Sequence, residues 1–197
     1  MPKIIDHDAY RKKILDASFL VLAEKGYAYS MRKIADTVGV STGTLYHYFP
    51  SKRVLFEQLS EHIVRKNIEK SFDRIANEPS RSGRATILID ILIEDSEELT
   101  ALVLLSVDYA RLVPRQEMSE FFSGFLQHYI KNLSQLLQIS EEISRFIVSA
   151  GDGILLHNWI NRDEACLRQC LYLLRDMVLV YLEHSESGSS KLEAGGD

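Results

Sequence analysis

Val38–Lys52 reads VGVSTGTLYHYFPSK. Ser41 stands where a helix N-cap is wanted, and Pro50 closes the segment, so the spacing predicts a short helix, STGTLYHYF. Leu45 and Phe49 lie one turn apart and form its inner side. Projected at 100° per residue, Gly43, Thr44, Tyr46 and His47 fall furthest from that side. A glycine on the outer line lets another backbone or a phosphate come close. The hydroxyl, phenol and imidazole groups offer donors and acceptors to phosphate oxygens and base edges. The same cluster also fits a solvated, well-capped turn, and the segment alone does not separate the two.

The flanking sequence favours the nucleic-acid reading. A helical pattern from about Asp8 places Ile14, Ala17, Ser18, Val21 and Leu22 on one face and stops at Gly26. A second helix follows Ser30, turns Ile34, Ala35 and Val38 inward, and breaks at Gly39. Val40 plugs the turn into the quoted helix. Three helices joined this way form a helix-turn-helix whose third helix would enter a DNA major groove. Ser51 then caps a long helix, SKRVLFEQLSEHIVRKNIEKSFDRIAN, that leaves this head without a linker. The first break after it is NEPSRSG, residues 77–83.

Further helical blocks are expected at about 84–94, 96–112, 114–138, 140–161 and 163–184, with no strand alternation. The reading is an all-α chain of about nine helices. Residues 1–53 form the helix-turn-helix domain, 54–184 a helical body, and 185–197 a disordered tail of Ser, Gly and charge.

The net charge of −5 excludes a protein that coats nucleic acid generally, but the charge is uneven. Residues 1–53 hold nine Lys or Arg against five Asp or Glu, whereas the remaining 144 hold fourteen against twenty-three. Only the head suits a polyanion. A 46% hydrophobic content is enough for a core. The N-terminal MPKIIDHDAYRKK lacks the apolar run of a secretion signal, and no apolar stretch approaches the roughly 18 residues of a membrane span. A cytoplasmic protein with no membrane partner is expected. Walker, dinucleotide-binding, HExxH, CxxC and nucleophile-elbow motifs are absent, so no enzyme, catalytic residue or cofactor is expected. Cys166 and Cys170, four apart on one helix, read as small core residues rather than a disulfide. A metal site is the sharper alternative, but no metal is expected from two thiols without further ligands at suitable spacing.

The run Ser30-Met31-Arg32-Lys33-Ile34-Ala35, then Gly39-Val40-Ser41, Gly43-Thr44-Leu45-Tyr46-His47-Tyr48-Phe49, Ser51-Lys52 and Leu55 closely resembles the AcrR-like DNA-binding head of TetR-family transcriptional regulators. The resemblance is specific over residues 10–56 and only architectural beyond. It implies that Arg32 and Thr44 contact base edges, with Arg32 able to make a bidentate contact to guanine. Ser41, Tyr46, His47 and Tyr48 would touch phosphates, sugars or thymine methyls. Lys52 would anchor a phosphate at a helix N-terminus, and Thr42 is a specificity position. Each has a plainer use: Ser41 as a cap, Tyr48 tucked against the fourth helix, Arg32 in solvent.

One head spans only a few base pairs, so a palindromic operator in double-stranded DNA implies a homodimer. The last two helices supply the expected interface, with Leu167, Leu171, Leu174 and Val178 on one stripe and Leu173, Met177 and Val180 widening it. Three apolar faces on the middle helices converge. In a protein resembling this family their meeting point would hold a small-molecule effector, with Tyr109, Phe125, Tyr129 and Asp152 as ligand-binding candidates and His128 and Trp159 behind them. The implied function is a ligand-responsive repressor released by a small lipophilic molecule. The alternative is a sequence-independent DNA-binding or protein-interaction module without an effector.

Overall fold

The computed structural model describes residues 6–193. Among them are nine α-helices and no strand: α1 His7–Lys25, α2 Met31–Val38, α3 Thr42–Tyr48, α4 Lys52–Ile75, α5 Arg81–Glu94, α6 Ser96–Leu112, α7 Arg115–Leu137, α8 Glu141–Asn161 and α9 Glu164–Glu193. The helix ends follow the capping chemistry. Asp6 accepts from the backbone N–H groups of Asp8 and Ala9, Ser30 from Lys33, and Ser41 from Thr44. Between α2 and α3 the chain turns through Gly39 at φ 79°, a left-handed geometry that a β-carbon would strain.

The packing divides the chain into two units. One runs to Glu69 and adds Ala101–Phe125; the other is Lys70–Thr100 with the chain from Leu126 onward. The sequence reading divided the chain at residue 53, whereas the packing joins the second half of α6 and the first half of α7 to the helix-turn-helix. Two features account for this. Arg53 bonds Glu57 at 2.7 Å and Glu117 at 3.0 Å. Tyr109 stacks on Phe56 at 4.4 Å between centroids and meets the edge of Tyr27 at 5.2 Å. Beneath α3 this unit buries Leu22, Ile34, Leu45, Phe49, Leu55 and Leu59 completely.

The second unit has its own core, in which Ala85, Ile89 and Ile93 of α5, Leu133 and Leu137 of α7 and Leu155 of α8 pack with five residues of α9. Gly151 keeps α8 open to the Leu92 side chain, which would lie 3.6 Å from an added β-carbon. Lys70 and Asp95 pair at 2.7 Å, as do Arg74 and Glu94.

Helix α9 differs from expectation twice. It is helical as far as Glu193 instead of ending near residue 184, and Arg81 donates to Ser185 Oγ at 2.7 Å just where the tail was expected to begin; residues 194–197 lie outside the described residues. The stripe expected to meet a partner lies inside the single chain. Leu167, Leu171, Leu174 and Val178 are 0–7% exposed within the chain's own core. The outward apolar residues are Leu173, Met177 and Val180, each more than half exposed. The residue two places on from Leu171 points about 200° away from it, so a helix this apolar serves two sides.

Candidate nucleic-acid interface

The outer side of α3 is open. Leu45 and Phe49 are fully buried, while Gly43, Tyr46 and His47 are exposed and Thr42 and Thr44 half-buried. This inside-out division comes from two apolar anchors one turn apart, Leu45 within the helix and Phe49 at its C-cap, and it leaves no ambiguity about which way the helix faces. Ser41 Oγ accepts from the Thr44 N–H at 2.9 Å and lies 2.7 Å from Thr44 Oγ1. The cap therefore also holds the Thr44 hydroxyl, and of the uses expected of Ser41 the structure shows the cap. Arg32 is exposed on α2.

Tyr48 is half-buried and held from several sides. His7 Nδ1 is 2.7 Å from its hydroxyl, the Tyr10 ring centroid is 5.7 Å from its own, and the His47 ring meets it edge-on at 5.2 Å. Lys52, the first residue of α4, lays its ammonium over the Tyr27 ring, 4.3 Å from the centroid. Burial pulls its pKa below that of an ordinary lysine. The ring's negative face offsets part of that desolvation and fixes where the charge sits. Burial also pushes the Tyr27 phenol up to about 12, so it stays neutral. His7, Tyr10 and Tyr27 were not anticipated. The spacing of His7 and Tyr10 puts them on one side of α1, but nothing local shows that this side meets Tyr48.

The four effector candidates are spread over both packing units. Tyr109 is fully buried in the first, among Tyr27, Phe56 and Phe121, and its hydroxyl has no hydrogen-bond partner among the described residues. Tyr129 and Asp152 belong to the second. Burial pushes the Asp152 carboxyl up to about 6, and burial together with that carboxylate raises the Tyr129 phenol. The side chain of Phe125 lies outside the described residues. His128 and Trp159 are exposed.

A family model described as bacterial regulatory proteins, tetR family, matches residues 14–59, which are α1 from Ile14 through the first part of α4. The fatty acid metabolism regulator protein of Bacillus subtilis (strain 168) is 28% identical over 133 residues, 66% of this chain and 69% of that protein. The HTH-type transcriptional repressor KstR of Mycobacterium tuberculosis is 40% identical over 76 residues, 38% of this chain and 31% of its own length. The chain thus spans about a third of KstR, and that similarity is confined to a short region. The solved structure of the regulator FadR from Bacillus subtilis in complex with stearoyl-CoA has the same fold, with a TM-score of 0.62 over 82% of this chain and 96% of that one at 23% identity.

Proposed function

Because the chain belongs to the TetR family of bacterial regulatory proteins, we propose that it is a cytoplasmic repressor that binds a palindromic operator as a homodimer and leaves it when a small lipophilic molecule binds. The observation that carries this reading is the division of α3. Its apolar side is sealed against the head, and its polar side, led by Tyr46 and His47, is turned to solvent, as is Arg32 on α2. Such a helix fits a major groove, and the basic balance of residues 1–53 supplies attraction to phosphate. Residues 1–53 act as the DNA-reading part and 54–184 as the part that binds effector and partner.

The homodimer uses the outward face of the last two helices. Phe146 and Ile160 of α8 and Leu173, Met177 and Val180 of α9 are all more than half exposed, and a second copy would remove them from water. The effector is an acyl-type amphiphile. This draws support from the printed function of the Bacillus relative and from the stearoyl-CoA complex of FadR. Since α4 contributes to both packing units on one unbroken helix, a displacement at its Ile75 end is carried to Lys52. A coupling of about 1–3 kcal/mol between effector and operator would change DNA affinity 5- to 150-fold.

The test is selection of binding sites from random duplexes, followed by competition against excess random DNA. Recovery of an inverted repeat that survives competition and is released by a long-chain acyl-CoA supports the whole reading. Binding that random DNA abolishes would leave only the sequence-independent alternative.

A further inference from the structure

Aromatic side chains of α1 and α3 meet at Tyr48, and one of the contacts there can run in either direction. His7, the first residue of α1, places Nδ1 2.7 Å from the Tyr48 hydroxyl, with the ring centroids 6.1 Å apart. The Tyr48 ring is also fixed by Tyr10 at 5.7 Å, by the edge of His47 at 5.2 Å and by Phe49 at 6.3 Å. The phenol therefore has a set position, and what stays open is where its proton points.

That proton matters because the oxygens of a phosphodiester only accept hydrogen bonds. A phenol is a stronger acid than neutral imidazole, and an imidazole nitrogen a stronger base than a phenol oxygen. Beside neutral His7 the Tyr48 O–H accordingly donates to Nδ1, and the hydroxyl has nothing left to give to DNA. When His7 takes up a proton from solvent, Nδ1 gains an N–H that donates to the Tyr48 oxygen. The phenol keeps its own proton, which is now free for a phosphate. An imidazole changes charge between about pH 5 and 8, so both arrangements are reached under ordinary conditions.

We propose that, within the repressor reading, His7 is a positioning residue for Tyr48: protonated, it frees the Tyr48 hydroxyl proton for an operator phosphate, and neutral, it keeps that proton for itself. The groups around His7 are compatible with both states. On α1 they are its neighbours Asp6 and Asp8 and, one turn on, Tyr10 and Arg11; on α3 they are Tyr48 and His47. Asp6 caps α1 through the N–H groups of Asp8 and Ala9, while Arg11 donates to Gln58 of α4 and lies over the Phe49 ring. An operator phosphate adds negative charge beside this cluster, so DNA binding and His7 protonation favour each other.

The test compares the full chain with His7→Ala, Tyr48→Phe and the double variant, measuring affinity for the selected operator at about pH 5.5 and about pH 8 in the same salt. Removing His7 is expected to cost about tenfold at the lower pH, the worth of one hydrogen bond to a charged group, and nothing at the higher. In the Tyr48→Phe background, which keeps the ring and loses only the hydroxyl, removing His7 should change affinity by less than about twofold at either pH. Any titration of His47 is common to every variant and cancels from these ratios. A loss equal at both pH values makes His7 a packing residue, and a loss that persists without the Tyr48 hydroxyl makes it a direct phosphate contact. Either result overturns the proposal and leaves the repressor reading standing. A parent chain that holds no operator at either pH overturns the repressor reading, and the phosphate role of Tyr48 with it. The reversal itself is read without DNA from the nitrogen chemical shift of His7 Nδ1: a bare nitrogen is expected at about pH 8, and one already carrying hydrogen would overturn it. Circular dichroism confirms that the variants fold, and His7→Gln, which cannot change charge, is the second replacement and should abolish the pH dependence alike.

Discussion

Helix α3 and helix α9 present the same problem at two scales. In α3, seven residues flanked by the caps Ser41 and Phe49 carry an outer polar line opposite the fully buried Leu45 and Phe49, and each side chain has one side it can take. In α9, thirty residues carry apolar groups around most of the circumference, and the four chosen for a partner belong to the chain's own core. A short amphipathic helix announces its orientation. A long helix that is apolar on two sides announces only that both sides will be covered.

The comparison breaks most readily at Leu171. Leu171→Ala should cost about 2–5 kcal/mol, because it empties a fully buried position among α5, α8 and α9. Leu173→Ala, two residues away and 61% exposed, should change the stability of the isolated chain by less than about 0.5 kcal/mol. Urea unfolding of both at low protein concentration checks the pair, and equal losses would mean that α9 is seated the other way round.

The second unit also differs from the head in burying a carboxyl pushed up to about 6 by desolvation. An acid whose folded pKa is raised binds protons more readily in the folded state than in the unfolded chain. Its contribution to stability is therefore full below about pH 4 and is lost as pH rises through 6. Asp152→Asn should leave stability unchanged near pH 4 and raise it by up to about 3 kcal/mol at pH 8. The quantity to measure is the difference between variant and parent at the two pH values, since other carboxyls titrate in both.

On α2 and α4, Arg32→Ala should cost about 1–3 kcal/mol of operator binding and relax one base position, whereas Lys52→Ala should weaken binding to all sequences alike. Affinity measured on the operator and on single-base variants separates these effects, and parallel losses would reject the division of roles. The smallest effect expected is on the cap: Ser41→Ala should cost about 1 kcal/mol of stability, read by thermal unfolding, and should also free the Thr44 hydroxyl from its 2.7 Å contact.

These contrasts follow what local sequence can encode. Ser30, Gly39, Ser41 and Pro50 punctuate the head, and each mark is a matter of neighbouring backbone groups, so α1 to α3 were legible nearly to the residue. The ring of Tyr27 under Lys52 was not legible, because the contact joins segments 25 residues apart. Likewise the four-residue spacing of Cys166 and Cys170 shows that they share a side of α9, but not that this side borders a groove. Periodicity gives the angle between two residues on one helix and says nothing of what that angle faces. The effector candidates show this most, since Tyr109 and Asp152, grouped by what the family resemblance implies for separate helices, belong to different packing units.

The 24 residues of α4 run without a break, a rod of about 36 Å. Pivoting it by about 5° at its Ile75 end would sweep Lys52 through about 3 Å, close to the 3.4 Å rise from one nucleotide to the next along a strand. On the proposed reading, a small change of angle at one end of α4 is thus enough to move Lys52 by about one nucleotide step relative to the phosphate it would anchor.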